Sequence, residues 1–451
     1  MSMSPSGRVS ARVRAVLAAA GSVLVLGALV GAAPASPADP PTRMDNPYVG
    51  ARVYVDPEWA ARAAAEPGGD AVAGQPTAVW LDRIARIEGK DGMMGLREHL
   101  DAAVAQRADL VQLTLYDLPA RDCGRQAPPG ELSIGDIARY RTEFVDPIVE
   151  ILADARYANL RIVTFVEPNS LPNLVVNVSP RYNATPACDE VKARGTYLDG
   201  IGYALARLGA MPNVYSYLDI SHHGETGWAD NADPLTALLA QAATNGGSTL
   251  ADVHGFVANT ANYSVLREEH FRVDDVVAGQ PVYQSKWVDW NPFVDEIPYA
   301  RHMRDRLIAA GFSPQVGVVV DTSRNGWGGP NRPTGPAISW DVNRYVDGSR
   351  LDRRTVVGNW CNQVGTGLGQ RPTAAPELGI DAYVWVKPPG ESDGASARPG
   401  TGRPYEPLCD PDYLPPRGST WPTGAMPAAP PFGEWFPAHF RQLLVNAWPP
   451  L

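Results

Sequence analysis

Basic residues are scarce in this chain: 39 lysines and arginines stand against 49 aspartates and glutamates in 451 residues, a formal net charge of −10. Phosphate binding needs a basic surface, so this balance argues against a nucleic acid partner. Histidines number seven and cysteines four. Only the pair His222-His223 falls at the end of a strand-like run, and Cys123, Cys188, Cys361 and Cys409 lack the compact spacing of a metal site. Neither a metal nor a cofactor is expected. After residue 30 no stretch is apolar enough to cross a bilayer. Charged residues make up 20% of the chain and hydrophobic ones 44%, ample material for one large core.

The N-terminus carries Arg8, Arg12 and Arg14, then an apolar stretch from Ala15 to Val30, then Ala33-Pro34-Ala35. Charged, apolar and small-x-small regions in that order read as a secretory signal peptide over residues 1–35. A membrane anchor fits less well, because the stretch is short and rich in alanine and glycine. Residues 36–45 read as a short Pro/Ala linker and 46–451 as one catalytic-type domain. The mature protein is expected to be secreted, free of the membrane and monomeric. An exported chain meets an oxidising compartment, so the four cysteines are expected to form two disulfides. Of the three pairings, Cys123 with Cys188 and Cys361 with Cys409 are favoured, each closing a loop between neighbouring elements.

Seven apolar, β-branched runs end in polar, mostly acidic clusters. They are AVWLDRIARIEG (78–89), VQLTLYDLPARDC (111–123), RIVTFVEPNSLPN (161–173), VYSYLDISHHGETGW (214–228), VHGFVANTANY (253–263), VGVVVDTSRNGW (316–327) and AYVWVKPPGESDG (382–394). Apolar runs of this length suit strands buried on both faces, and helix-period segments at 133–155 and 294–311 lie between them. Strand, helix, strand repeats imply right-handed crossovers and a parallel sheet, with functional side chains at the C-terminal strand ends. The Pro/Gly-rich stretch 397–433 reads as surface loop, followed by a closing helix in 436–448.

Asp117, Asp122, Asp219, Asp321, Glu391 and Asp393 would therefore converge at one mouth. Converging carboxylates that act on a neutral polymer are what glycoside hydrolysis uses. Twelve tryptophans, among them Trp228, Trp287, Trp290, Trp327, Trp360 and Trp385 in the same loops, suit stacking on sugar rings.

The motifs NPYVGARVYV, LYDLPARDC, EPNSLPNLV, YLDISHHGETGW, FVANTANY, QSKWVDW, DTSRNGWGGPNRPTG, GNWCNQVGTGLGQRP, YVWVKPPGESDG and FRQLLVNAWPP occur in this order from Asn46 to Leu451. Together they resemble glycoside hydrolase family six, the inverting cellobiohydrolases and endoglucanases, with loops like those of its bacterial exo-acting members. The resemblance implies an α/β fold, a distorted seven-stranded parallel (β/α) barrel, and a β-glucan or cello-oligosaccharide substrate; no cellulose-binding module is visible. It places Asp122 as the aspartate that supports the acid, Asp393 as the aspartate proposed as base, Tyr116 against the distorted sugar, and Arg121 beside Asp122. Asp219 joins the converging carboxylates of the cleft. His222, Asn262, Trp360, Lys387 and Glu391 fall on sugar subsites, and Trp228 on a leaving-side stacking position.

Three positions depart from that pattern. The family's general acid is an aspartate where this chain has Asn169, and a carboxamide cannot protonate a leaving oxygen, a loss that typically costs ~10² to 10⁴ in rate. Glu225 replaces a stacking tryptophan at the first leaving-group subsite. Pro128-Pro129 replace a Ser-Asn pair that relays protons to the catalytic water, and proline offers neither a hydroxyl nor an N–H. Two function classes follow: a secreted β-1,4-glucan hydrolase with altered catalysis, for which Glu225 is a conceivable relocated acid, or a catalytically silent barrel that still binds glycan.

Overall fold

A computed structural model describes residues 44–90, 92–125, 130–397, 405–414 and 422–451. The expected signal peptide, all but the last two residues of the expected linker, and Pro128-Pro129 lie outside the described residues.

Each of the seven apolar runs contains a strand, although in 78–89 only Val79–Leu81 is extended and Ile84–Ile87 is a helical turn. In chain order the strands are β1 (Val79–Leu81), β2 (Leu110–Leu115), β3 (Arg161–Val166), β4 (Val214–Asp219), β5 (Gly255–Ala258), the short ribbon β6 (Val276–Val277) and β7 (Gln280–Pro281), β8 (Gly317–Asp321), β9 (Thr373–Glu377) and β10 (Ile380–Val384). Strands β2, β4, β5, β8 and β10 are buried at every position. Burying a Val or Leu side chain contributes roughly 1.5–3 kcal/mol each, and alternation sends neighbours to opposite faces. Val111, Leu113 and Leu115 pack with helix residues such as Leu96, Leu100 and Leu205, while Val163, Phe165, Tyr215, Tyr217, Val257 and Val319 meet on the other face.

The main sheet runs β1-β2-β3-β4-β5-β8-β10-β9. Every pairing from β1 to β10 is parallel, whereas β9 lies antiparallel against β10. The sheet therefore has eight strands and not the seven expected. The additional one is an exposed edge strand, joined to β10 by the two-residue turn Leu378-Gly379, whose glycine sits at φ +80. Pro376 conceals it, because proline in a run argues against a strand except at an edge. The sheet curls until Thr77, ahead of β1, bridges Trp385 in parallel, with the Ala78 N–H donating to the Trp385 carbonyl at 3.0 Å.

Helices cover the outer face. The expected helix at 294–311 is Glu296–Ala309, which buries Ile297, Ala300, Met303 and Leu307 at helical spacing. The segment 133–155 holds a continuous helical run from Ile137 to Leu152, with π-type turns over Tyr140–Val145. The closing helix Pro437–Val445 sets Phe440, Leu443 and Leu444 against Trp59 and Trp385. Within the Pro/Gly-rich stretch, the described residues hold one 3₁₀ turn and isolated bridges. Disulfides join Cys123 to Cys188 and Cys361 to Cys409, the two favoured pairs. Among the described residues no helix is long and apolar enough to cross a membrane.

Candidate active site

The C-terminal ends of the parallel strands carry an unusual density of backbone in the left-handed region. Asp122, Glu167, Asn169, Ser221, Asn259 and Ala261 all have φ between 50° and 65°. Such conformations cost free energy for residues with a Cβ and gather where side chains must be aimed. They turn the chain sharply out of β2, β3, β4 and β5, so the polar residues that follow are directed over the mouth of the sheet.

Arg125 ties the mouth together. Its Nε lies 3.1 Å from Asp122 Oδ2, its Nη1 donates to the Asp393 carbonyl at 3.0 Å, and its guanidinium lies 4.2 Å over the Trp360 ring. Burial, with the Asp122 carboxylate beside it, raises the Tyr116 hydroxyl well above its ordinary value. Arg121 donates to the Tyr116 carbonyl and covers the Tyr116 ring at 4.5 Å. Asp122, Asp393 and Trp360, contributed by three separate segments, thus share one neighbourhood.

Asp393 is a locked anion. Arg324 Nη1 donates to both of its carboxylate oxygens at 2.8 Å, and the Tyr263 hydroxyl and Asn362 N–H each reach Oδ2 at 2.8 Å. Burial pushes the Asp393 carboxyl up, but Arg324, Lys387 and the Asn362 N–H outweigh it and hold the group below its ordinary value. A carboxylate held so low is a weak proton acceptor.

The β3–β4 side is built the opposite way. Asp219 Oδ2 accepts the Asn169 N–H at 2.8 Å, and Oδ1 accepts the Ser221 N–H at 3.0 Å. Burial still pushes the Asp219 carboxyl up to about 7, with the nearby Glu225 adding to the rise. The Ser221 hydroxyl donates to Glu225 Oε2. Burial raises Glu225 too, against the pull of that bond. Beneath them, Glu167 accepts from the Asp117 and Leu118 N–H groups and the Tyr140 hydroxyl, and burial takes it to about 7. The Asn169 carboxamide makes no hydrogen bond among the described residues, although its backbone is fixed by Asp219.

The remaining predicted binding residues line the flanks. His222 Nδ1 pairs with Ser264 Oγ at 3.2 Å, and Arg354 donates to Ser264 Oγ and to Asn262 Oδ1, each at 2.8 Å. Trp228 Nε1 donates to the Asp289 carbonyl at 2.7 Å. Lys387 Nζ lies 3.6 Å from Glu391 Oε2 and 5.2 Å over the Trp80 ring. Trp80, Lys387, Glu391, Phe432 and Trp435 line a cavity of about 590 Å³ that opens at this side.

Several expectations need correction. Trp327 and Trp385 are core residues, 1% and 0% exposed, and offer no stacking face. Asp117 and Asp321 are fully buried at the strand ends. Asp321 accepts the N–H groups of Ala261, Ser323 and Lys387 and so shapes the loops. Sequence reasoning overlooked Arg125, Arg324, Tyr263, Trp80 and Phe432. Arg125 follows Asp122 by three residues and Arg324 follows Asp321 by three, the only sequence signal that marked them.

Among the described residues, two sets of side chains have metal-like geometry: His222, His223 and Glu296, and Asp56, Glu58 and His99, each with ligand atoms within 4.8 Å. Both are engaged internally. His223 Nδ1 pairs with Glu296 Oε1 at 2.6 Å, Asp56 caps the helix Pro57–Ala64, and His99 Nδ1 pairs with the Tyr54 hydroxyl at 3.0 Å.

Residues 48–447 match the family described as glycosyl hydrolases family 6. Over 434 residues the chain is 45% identical to exoglucanase A of Cellulomonas fimi, which covers 91% of this chain and 49% of that protein. The chain thus spans about half the length of that relative. It is 32% identical over 424 residues to 1,4-beta-D-glucan cellobiohydrolase C of Emericella nidulans, covering 90% of this chain and 80% of that one. The catalytic domain of Cellulomonas fimi Cel6B superposes with a TM-score of 0.86 at 44% identity, over 91% of this chain and 97% of that chain. Cellobiohydrolase II (Cel6A) of Humicola insolens, solved with glucose and cellotetraose, gives 0.70 at 29% identity, over 90% of this chain and all of that chain. The match takes in every strand of the curled sheet and each strand end that builds the mouth, and on that ground the chain belongs to glycosyl hydrolases family 6.

Proposed function

We propose that the protein is an exported glucanase that hydrolyses β-1,4-glucosidic bonds of cellulose or a related β-glucan by inversion. The observation that carries this reading is the meeting of Asp122, Asp393 and Trp360 around Arg125, in a family whose relatives include an exoglucanase. Neutral sugar polymers are gripped by aromatic faces and hydrogen-bonding groups, and Trp80, Trp228, Trp360, His222, Asn262, Lys387 and Glu391 supply both. Tyr116 and Arg121 would crowd and position the sugar at the bond that breaks, with Asp122 supporting the chemistry and Asp219 fixing the backbone of Asn169. Export rests on residues 1–35 acting as a signal peptide and 36–45 as a linker, and the two disulfides suit that destination.

A second reading is favoured by one residue. Asn169 stands where an acid is needed, and a barrel without an acid would hold glycan and leave it uncut. Reducing-end release from cellohexaose and swollen cellulose, measured beside the Asn169→Asp variant, separates the two. Turnover by the parent supports the glucanase; release by the variant alone supports a silent binder.

A further inference from the structure

Asn169 leaves the leaving-group oxygen without a proton donor at its usual place, yet two carboxyl groups connect to Asn169 through hydrogen bonds. The chain runs from the Asn169 N–H to Asp219, from Asp219 to the Ser221 N–H, and from the Ser221 hydroxyl to Glu225. These carboxyls differ in what they can reach. Asp219 is 3% exposed and both of its oxygens are occupied by backbone N–H groups. Glu225 is half-buried, only its Oε2 is engaged, and its Oε1 accepts no hydrogen bond among the described residues.

We propose that Glu225 is the general acid of this chain, a carboxyl moved from the β3 loop at position 169 to the short helix His223–Thr226 that follows β4. The proposal rests on the glucanase reading. In the step, the Glu225 carboxyl gives its proton to the glycosidic oxygen as the bond from that oxygen to C1 breaks. A water oxygen bonds to C1 from the opposite face and its proton passes to solvent water. The leaving sugar departs as an alcohol, and Glu225, left as a carboxylate, takes a proton back from solvent.

The geometry suits the task. Ser221, at φ +65, turns its hydroxyl onto Oε2 and fixes the carboxyl at the strand end, and the Asn231 side chain holds the Glu225 carbonyl at 2.7 Å. Trp228, three residues on, is anchored to the Asp289 carbonyl on the same flank. Asp219 and Tyr299 are the titratable groups that sense Glu225 from the neighbouring elements. Burial, the dominant influence on Glu225, favours the protonated form that a donor needs.

The test compares a substrate that needs a protonated leaving group with one that does not. Parent, Glu225→Gln and Glu225→Asp would be assayed on cellohexaose and on 2,4-dinitrophenyl β-cellotrioside, with melting temperatures as a check on folding. Glu225→Gln should lose ~10²-fold or more in kcat/KM on cellohexaose, the usual worth of a positioned acid, and far less on the dinitrophenyl substrate. The parent's fall in rate with rising pH should appear on cellohexaose only. Equal loss on both substrates, or no loss on cellohexaose, overturns the proposal. A parent active on the dinitrophenyl substrate alone also overturns it, and leaves a cleft without an acid. A parent inert on both removes the glucanase reading itself.

Discussion

Arg324 Nη1 stands 2.8 Å from each carboxylate oxygen of Asp393, and neither side chain is open to water. Removing one partner of a buried pair strands the other charge, which typically costs ~3–5 kcal/mol. Arg324→Met should therefore destabilise the protein strongly at neutral pH. Asp393 is held below its ordinary value in the folded state, so its contribution is present above the unfolded carboxyl's pKa and is lost as pH falls through the lowered one. The gap between parent and variant in denaturant midpoint should hold from pH 7 down to about pH 4 and narrow only below the ordinary carboxyl value of 3.8. A gap that does not change with pH would contradict the locked anion.

Asp219 predicts the opposite sign. Its carboxyl is raised to about 7 by burial, so the folded state resists ionisation while the unfolded chain does not. Stability from this group is fully present below the unfolded value near 3.8 and declines as pH rises toward about 7. Asp219→Asn loses acceptors for the Asn169 and Ser221 N–H groups, but it escapes that ionisation cost. Its melting temperature should lie below the parent's at pH 5, and the deficit should shrink by pH 8. Parallel melting curves against pH for the two proteins would show that Asp219 is ionised throughout.

Asn169→Asp would put a carboxyl where the backbone is already fixed by Asp219. Cellohexaose hydrolysis should rise by about tenfold or more, since a positioned acid is worth roughly 10² to 10⁴. The gain should stay short of an ordinary family member, because Pro128-Pro129 cannot relay protons. Full recovery in a reducing-end assay would mean that the relay is dispensable.

The parallel strands were legible because a strand buried on both faces has to be a near-continuous apolar run, and Leu110–Leu115 or Val214–Asp219 meet that demand. Strand β9 was not, because at an exposed edge Thr373–Glu377 is free to carry Pro376 and a polar face. Carboxylates such as Asp122 and Asp393 were legible as strand-end residues. Their cations were not, since what makes Arg125 and Arg324 matter is burial against partners 3 residues away in one case and 69 in the other. Tryptophan misled for a related reason: its bulk serves a core as well as a cleft, so Trp385 and Trp360 look alike in sequence and differ only in what covers them.

Binding should outlast any loss of turnover. Trp360 is half-buried, with Arg125 stacked at 4.2 Å, and a sugar ring on its open face would add a contact worth roughly 0.5–1.5 kcal/mol beyond the area it covers. Calorimetry with cellotetraose should show Trp360→Ala binding at least about tenfold more weakly, a loss of ~1.4 kcal/mol. Glu225→Trp should bind more tightly, because it exchanges a carboxyl that must be desolvated for a stacking face on the leaving-group side. The same variant removes the proposed acid, so tighter binding should come with slower release of reducing ends. Tighter binding with faster release would separate affinity from catalysis at this position in the wrong direction and exclude Glu225 as the donor. No measurable heat from the parent or from Glu225→Trp would mean that the cleft has left glucans for another class of ligand.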